Sequence, residues 1–343
     1  MRTLLYFSLL VFIGCQPKPG SDKNEGSPAE QSDAPPFGHI ERLDPELDQL
    51  IPQTAEIEVL SEGYDWTEGP LWLKSENMLL FSDIPKNSIF KWKEGEGASL
   101  YLKPSGYTGN SRREGEPGSN GLLLNQQNQL ILCQHGDRQI GRMTSAVDNP
   151  QASFETIVDS YKGKRFNSPN DGTFSNSGDL YFTDPPYGLE GNMDDPSKEI
   201  PFQGVYRVKA GTNEAELLID SITRPNGIAL SPDESKLYVA CSDPEKAVWY
   251  VYSLENGSPG QGSIFYDATG LVGSEKGLPD GMKTHSSGAI FATGPGGVWI
   301  FNAGGKVLGK IKTGQATANC AFDTAENYLY ITADMYILRV KLT

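Results

Sequence analysis

The chain has 343 residues and carries 29 Lys and Arg against 44 Asp and Glu, a formal net charge of −15. Such an acidic chain repels phosphate backbones, which excludes nucleic acid as a partner. No apolar run reaches the ~18 residues of a spanning helix, which excludes a multi-span membrane protein, and 38 Gly with 15 Tyr, 14 Phe and 5 Trp favour a turn-rich domain of strands.

Met1 and Arg2 form a short positive start, and residues 4–13 (LLYFSLLVFI) are apolar but too short to span a membrane comfortably. The run ends in Ile13-Gly14-Cys15, which resembles the lipobox of bacterial lipoproteins. Residues 1–14 are therefore predicted to be a signal peptide, and Cys15 is predicted to be the lipidated new N-terminus. Residues 15–37 continue in Pro, Ser, Gly and charge with almost nothing to bury, the composition of a disordered tether. The expected location is the bacterial cell envelope, facing the periplasm or the cell surface. Contact with the membrane is expected through the lipid alone.

Residues 38–343 read as one domain. Residues 41–51 (ERLDPELDQLI) predict a short helix packed outside it. Cys133, Cys241 and Cys320 each sit in or beside an apolar, strand-like run without CxxC or Cys/His spacing. They read as buried free thiols rather than zinc ligands.

One unit then recurs. A short polar anchor with Gly or Pro opens an apolar strand, a polar hairpin turn follows, and further strands complete the copy. The anchors are Glu68 in WTEGP, Asn120 in SNG, Asn170 in SPNDG, Asn226 in RPNG, Asp280 in PDG and Asn319 in TANC, with separations of 52, 50, 56, 54 and 39 residues. Repeats of roughly 40–50 residues, each with four short strands, define a β-propeller, and six anchors predict six blades. The fold class is thus all-β. Residues 57–60 are predicted to pair with residues 336–342 and close the ring.

In a propeller the first strand of each blade lines the central channel, so the six anchors should converge at one mouth. Two carboxylates and several amide oxygens facing one axis suit a hard divalent cation such as Ca²⁺, Mg²⁺ or Mn²⁺. Residues 106–118 and 188–202 are long insertions expected to form the mouth. No G-x-S-x-G elbow and no strand–GxGxxG–helix unit occurs, so neither a serine hydrolase of the α/β-hydrolase kind nor a nicotinamide enzyme is supported.

The ordered series EGP, SNGL, SPND with TDPPYG, RPNG with LSPD, DGMK with ATGPGGVW, and TANC with LYIT resembles the senescence-marker-protein/gluconolactonase/luciferin-regenerating-enzyme family, in particular its bacterial gluconolactonase-like members. The resemblance implies a six-bladed propeller with one divalent cation in the channel, Ca²⁺ first and Mg²⁺, Mn²⁺ or Zn²⁺ as alternatives. The implied activity is hydrolysis of a small-molecule sugar lactone, with no obligate protein partner. It implies that Glu68, Asn226 and Asp280 are metal ligands, and that Asp280 also handles the proton. Asn170 would ligate the metal or touch substrate, and Asn120 would bind substrate.

His135 either closes its strand structurally or meets substrate at the rim. Asp184 either holds a turn or faces the pocket. Asn319 is expected only to complete the sixth anchor. His285 stands where relatives carry Asp, in a hairpin turn away from the axis. Two rival functions share the same residues: hydrolysis of another ester or a phosphotriester, and non-enzymatic calcium binding on a propeller.

Overall fold

A computed structural model describes residues 37–343. The predicted signal peptide, the predicted lipidation site Cys15 and the predicted tether up to residue 36 lie outside the described residues. Six antiparallel sheets of four or five strands make the six blades of a propeller, and a separate two-stranded ribbon joins Ser160–Tyr161 to Lys164–Arg165. The innermost strands are Thr67–Leu73, Ser119–Leu124, Gly172–Phe174, Pro225–Leu230, Met282–Thr284 and Thr317–Phe322, each at one edge of its sheet. The anchors stand at or just before the starts of these strands.

The second strands, such as Met78–Asp83, Leu130–Gln134 and Ile290–Gly294, are buried along their whole length. That explains why they read as continuous apolar runs rather than alternating ones. Neighbouring blades bury these faces against each other. Trp249, Trp299 and Phe301 pack in one such layer, and Phe81, Trp92, Tyr330 and Ile337 in another. Trp72 stacks on Tyr330 with ring centroids 5.0 Å apart. No blade could bury both faces alone, so the ring holds together by contacts between neighbours.

The ring closes as expected. Ile57–Glu62 pairs with Tyr336–Lys341, with Ile57 opposite Val340 and Glu62 opposite Tyr336. Residues 41–51 differ from expectation. Only Pro45–Gln49 is helical, as a 3₁₀ turn capped where Asp44 accepts the Glu46 N–H. Glu41 and Arg42 belong instead to the strand His39–Arg42, which adds a fifth strand to the fifth blade by pairing with Val307–Lys312. Pro45 is the physical reason: it disfavours helix at the residue before it and suits the first turn of one. Leu47 and Ile51 are fully buried and anchor the segment in the core.

Two local devices hold the anchors in place. Glycines after the anchors let adjacent blades approach. A Cβ on Gly227 would lie 2.2 Å from the Asp280 backbone oxygen, and one on Gly281 would lie 1.9 Å from Asn319 Cγ. Hydroxyls near the ends of second strands tie four of the six blades to the next. Ser82 Oγ donates to Asn120 O (3.0 Å), Thr183 Oγ1 to Asn226 O (2.7 Å), Ser242 Oγ to Pro279 O (2.5 Å) and Thr293 Oγ1 to Ala318 O (2.8 Å). These hydroxyls are buried, so each bond satisfies a group that would otherwise be costly to desolvate.

Candidate active site

At the anchor end of the channel lies a cavity of about 440 Å³. Glu68, Asn120, Asn170, Asn226 and Asp280 all line it, although 212 positions separate the first from the last. Trp66, Glu116 and Tyr187 add to its wall. Asn319 lies beneath, buried and outside the lining.

The hydrogen bonding of this set is incomplete. Asn120 Oδ1, Asn170 Oδ1 and Asp280 Oδ1 are buried without a hydrogen-bond partner. Asn226 donates its side-chain amide N–H to Ser242 Oγ at 2.9 Å, and its backbone oxygen accepts from Thr183 Oγ1. Glu68 is buried and accepts the Gly69 N–H at 3.0 Å. Burial pushes the Glu68 carboxyl up, and the nearby charge of Asp171 adds to it. Burial also pushes Asp280 well above the usual carboxylate range, with the charges of Glu68, Asp171 and Glu116 acting in the same direction.

Each orphaned buried polar atom costs about 1–3 kcal/mol. With the charge of Glu68 raising the proton affinity of Asp280, the two buried carboxylates disfavour joint ionisation unless a positive charge sits between them. Oxygen donors of this kind fit a hard divalent cation. Among the described residues no group of three or more His, Cys, Asp or Glu side chains is placed to hold a metal. The donor set here consists of two carboxylates and three asparagine amides.

Other residues singled out in the sequence fall around this set. His135 is fully buried behind the wall. Its Nδ1 stands 3.3 Å from Glu116 Oε2 without a hydrogen bond, and its Nε2 lies 3.5 Å from Asn170 Nδ2. Asp184 holds a turn, accepting the N–H groups of Asn167 and Ser168, each at 2.8 Å. Burial pushes its carboxyl up to about 7 against those bonds. His285 lies at the other end of its strand from Asp280, beside Glu326 and Ser287. Cys133, Cys241 and Cys320 are buried free thiols.

Sequence reasoning missed three features. Asp171 was read only as part of the SPND motif, yet it is buried in the channel. Its Oδ2 accepts from Asn319 Nδ2 at 3.2 Å and lies 3.9 Å from Lys283 Nζ. Of the two insertions, residues 106–118 supply Glu116 to the cavity, whereas residues 188–202 contribute no lining side chain and instead touch the first insertion. Arg113 bridges them by donating to Gly136 O and, at 2.7 Å, to Gly188 O. The third feature is the connection between the fourth and fifth blades, which brings Val272, Glu275 and Leu278 to the wall. Its only signal was a long stretch, LVGSEKGLP, without strand pattern.

A six-bladed propeller with unpaired oxygens gathered at one channel mouth defines the class. The chain matches the SMP-30/Gluconolactonase/LRE-like region over residues 66–334 and belongs to that family. It is 41% identical over 319 residues to the gluconolactonase of Zymomonas mobilis subsp. mobilis, covering 89% of this chain and 86% of the relative. The solved structure of a gluconolactonase from Xanthomonas campestris superposes with a TM-score of 0.77 at 27% identity, over 93% of this chain and 99% of the other. A putative gluconolactonase superposes with a TM-score of 0.75 at 28% identity, over 89% and 98%.

Proposed function

We propose that this gluconolactonase-like enzyme opens the ring of a small sugar lactone by hydrolysis at the channel mouth, with one divalent cation as cofactor. The observation that carries the reading is the ring of unpartnered oxygens on Asn120, Asn170 and Asp280 beside Glu68. Glu68, Asn170, Asn226 and Asp280 would hold the cation, Ca²⁺ before Mg²⁺, Mn²⁺ or Zn²⁺. When bound, the cation supplies positive charge that polarises the ester carbonyl and lowers the pKa of water.

The chain's own groups do the rest. Asp280 takes the proton from the attacking water and returns it to the ring oxygen as the acyl–oxygen bond breaks. Asn120 and Asn170 orient the sugar hydroxyls through amide groups that can both donate and accept. Trp66 and Tyr187 provide flat apolar walls. Purified protein is to be screened with aldonolactones and aryl esters in a pH-indicator assay, with and without chelator. Chelator-sensitive acid release from aldonolactones supports the reading. Cleavage of aryl esters alone favours the rival esterase, and no cleavage of either favours a binding propeller.

We further propose that the mature chain begins at a lipidated Cys15 and is exported to the cell envelope. The support is the succession of apolar run, Gly14-Cys15 and polar tether in residues 1–37.

A further inference from the structure

The cavity wall carries two carboxylates outside the anchors, Glu116 and Glu275, and among the described residues no Lys, Arg or His side chain lines it. Glu275 is neutralised from behind by Lys312 Nζ at 2.5 Å. Glu116 has no Lys or Arg partner among the described residues. The basic group nearest to it is the buried ring of His135, 3.3 Å away and not hydrogen-bonded to it. Its side chain keeps 34% of its exposure, so the carboxylate faces the open cavity rather than the core. The insertion that carries it is pinned, since Arg113 reaches the backbones of Gly136 and Gly188, and Glu190 Oε1 accepts the Glu114 N–H at 3.0 Å. A carboxylate without a Lys or Arg partner among the described residues is thus held in place at the entrance.

We propose that Glu116 is a specificity-determining residue that selects neutral lactones over anionic ones. It accepts a hydrogen bond from a hydroxyl of the neutral substrate and repels a substrate that carries a phosphate or carboxylate group. The inference rests on the lactonase reading and narrows its substrate class to uncharged sugar lactones. Two like charges some 6 Å apart, at an effective dielectric between protein surface and water, weaken binding about tenfold. Surface-accessible repulsion of this kind fades with ionic strength.

The test compares wild type, Glu116→Gln and Glu116→Asp with glucono-1,5-lactone and 6-phosphoglucono-1,5-lactone at low and high salt. Glu116→Gln is expected to raise kcat/KM for the phosphorylated lactone about tenfold relative to the neutral one, chiefly through KM. Wild-type discrimination should shrink with salt while that of the variant should not. Glu116→Asp keeps the charge and should keep the discrimination. A ratio unchanged within about twofold, or an equal loss on both substrates, overturns the proposal.

Calorimetric binding of gluconate and 6-phosphogluconate to the same proteins separates the two readings. Absence of lactone turnover in wild type sinks the lactonase reading alone. Glu116→Gln must still bind the more highly charged anion about tenfold more tightly relative to gluconate. An unchanged ratio, or no binding by any of the proteins, overturns the role of Glu116.

Discussion

Gly281 and Asn319 are packed so closely that a Cβ on the glycine would lie 1.9 Å from Asn319 Cγ. The side chain it would displace also donates to Asp171 Oδ2 and accepts from Lys283 Nζ at 3.3 Å. Gly281 directly follows Asp280, so one substitution disturbs both the channel interior and the proposed catalytic carboxylate. Gly281→Ala is expected to destabilise the fold by about 1–3 kcal/mol through overpacking. Denaturant unfolding measures this, and a change under about 0.5 kcal/mol would contradict the packing argument.

The buried carboxyls predict an unusual pH response. Glu68, Asp280 and Asp184 are all shifted upward, Asp184 to about 7, whereas unfolded carboxyls titrate near ~4. In that window the folded chain binds more protons than the unfolded chain. The stability these groups contribute is present in full below about pH 4 and is lost as pH rises through their folded values. Chelated protein should therefore melt at lower temperature as pH rises from about 5 to about 7. Saturating Ca²⁺ should remove the part of that slope due to Glu68 and Asp280, because a cation replaces their protons, and leave the part due to Asp184. A melting temperature that rises with pH in the chelated protein would contradict this.

Cys15→Ser should release the protein from membranes and leave the activity of the soluble domain unaltered. Fractionation and N-terminal mass spectrometry check it. A wild-type protein that is soluble and begins elsewhere than Cys15 would contradict the lipid anchor.

Much of the fold was legible because each blade repeats the same physical requirement. The glycines after Asn226 and Asp280 are needed where adjacent blades touch, so they recur in the sequence as PNG and PDG. The closing strand at Ile57 was legible because the last copy lacked a fourth strand. His39–Arg42 was not, because HIER shows no apolar alternation and its partner strand lies some 270 residues away. Asp171 was missed because Asp before Gly is a common turn former, and nothing local reveals that Asn319 reaches it. The ties from Ser82, Thr183, Ser242 and Thr293 could have been found. A Ser or Thr stands near the end of each of those second strands, in LLFSD, YFTD, ACSD and FATG.

Asp280 is assigned proton transfer as well as a share in holding a cation, and Glu68 the cation alone. The decisive measurement is kcat for glucono-1,5-lactone with Asp280→Asn and Glu68→Gln at limiting and saturating cation, with melting curves taken alongside to exclude unfolding. Acid–base catalysis is typically worth about 10²–10⁴-fold. Asp280→Asn is therefore predicted to lose at least about a hundredfold in kcat even at saturating cation. Glu68→Gln should lose activity mainly at limiting cation and recover part of it as cation is added. Near wild-type turnover by a folded, cation-saturated Asp280→Asn would contradict the account.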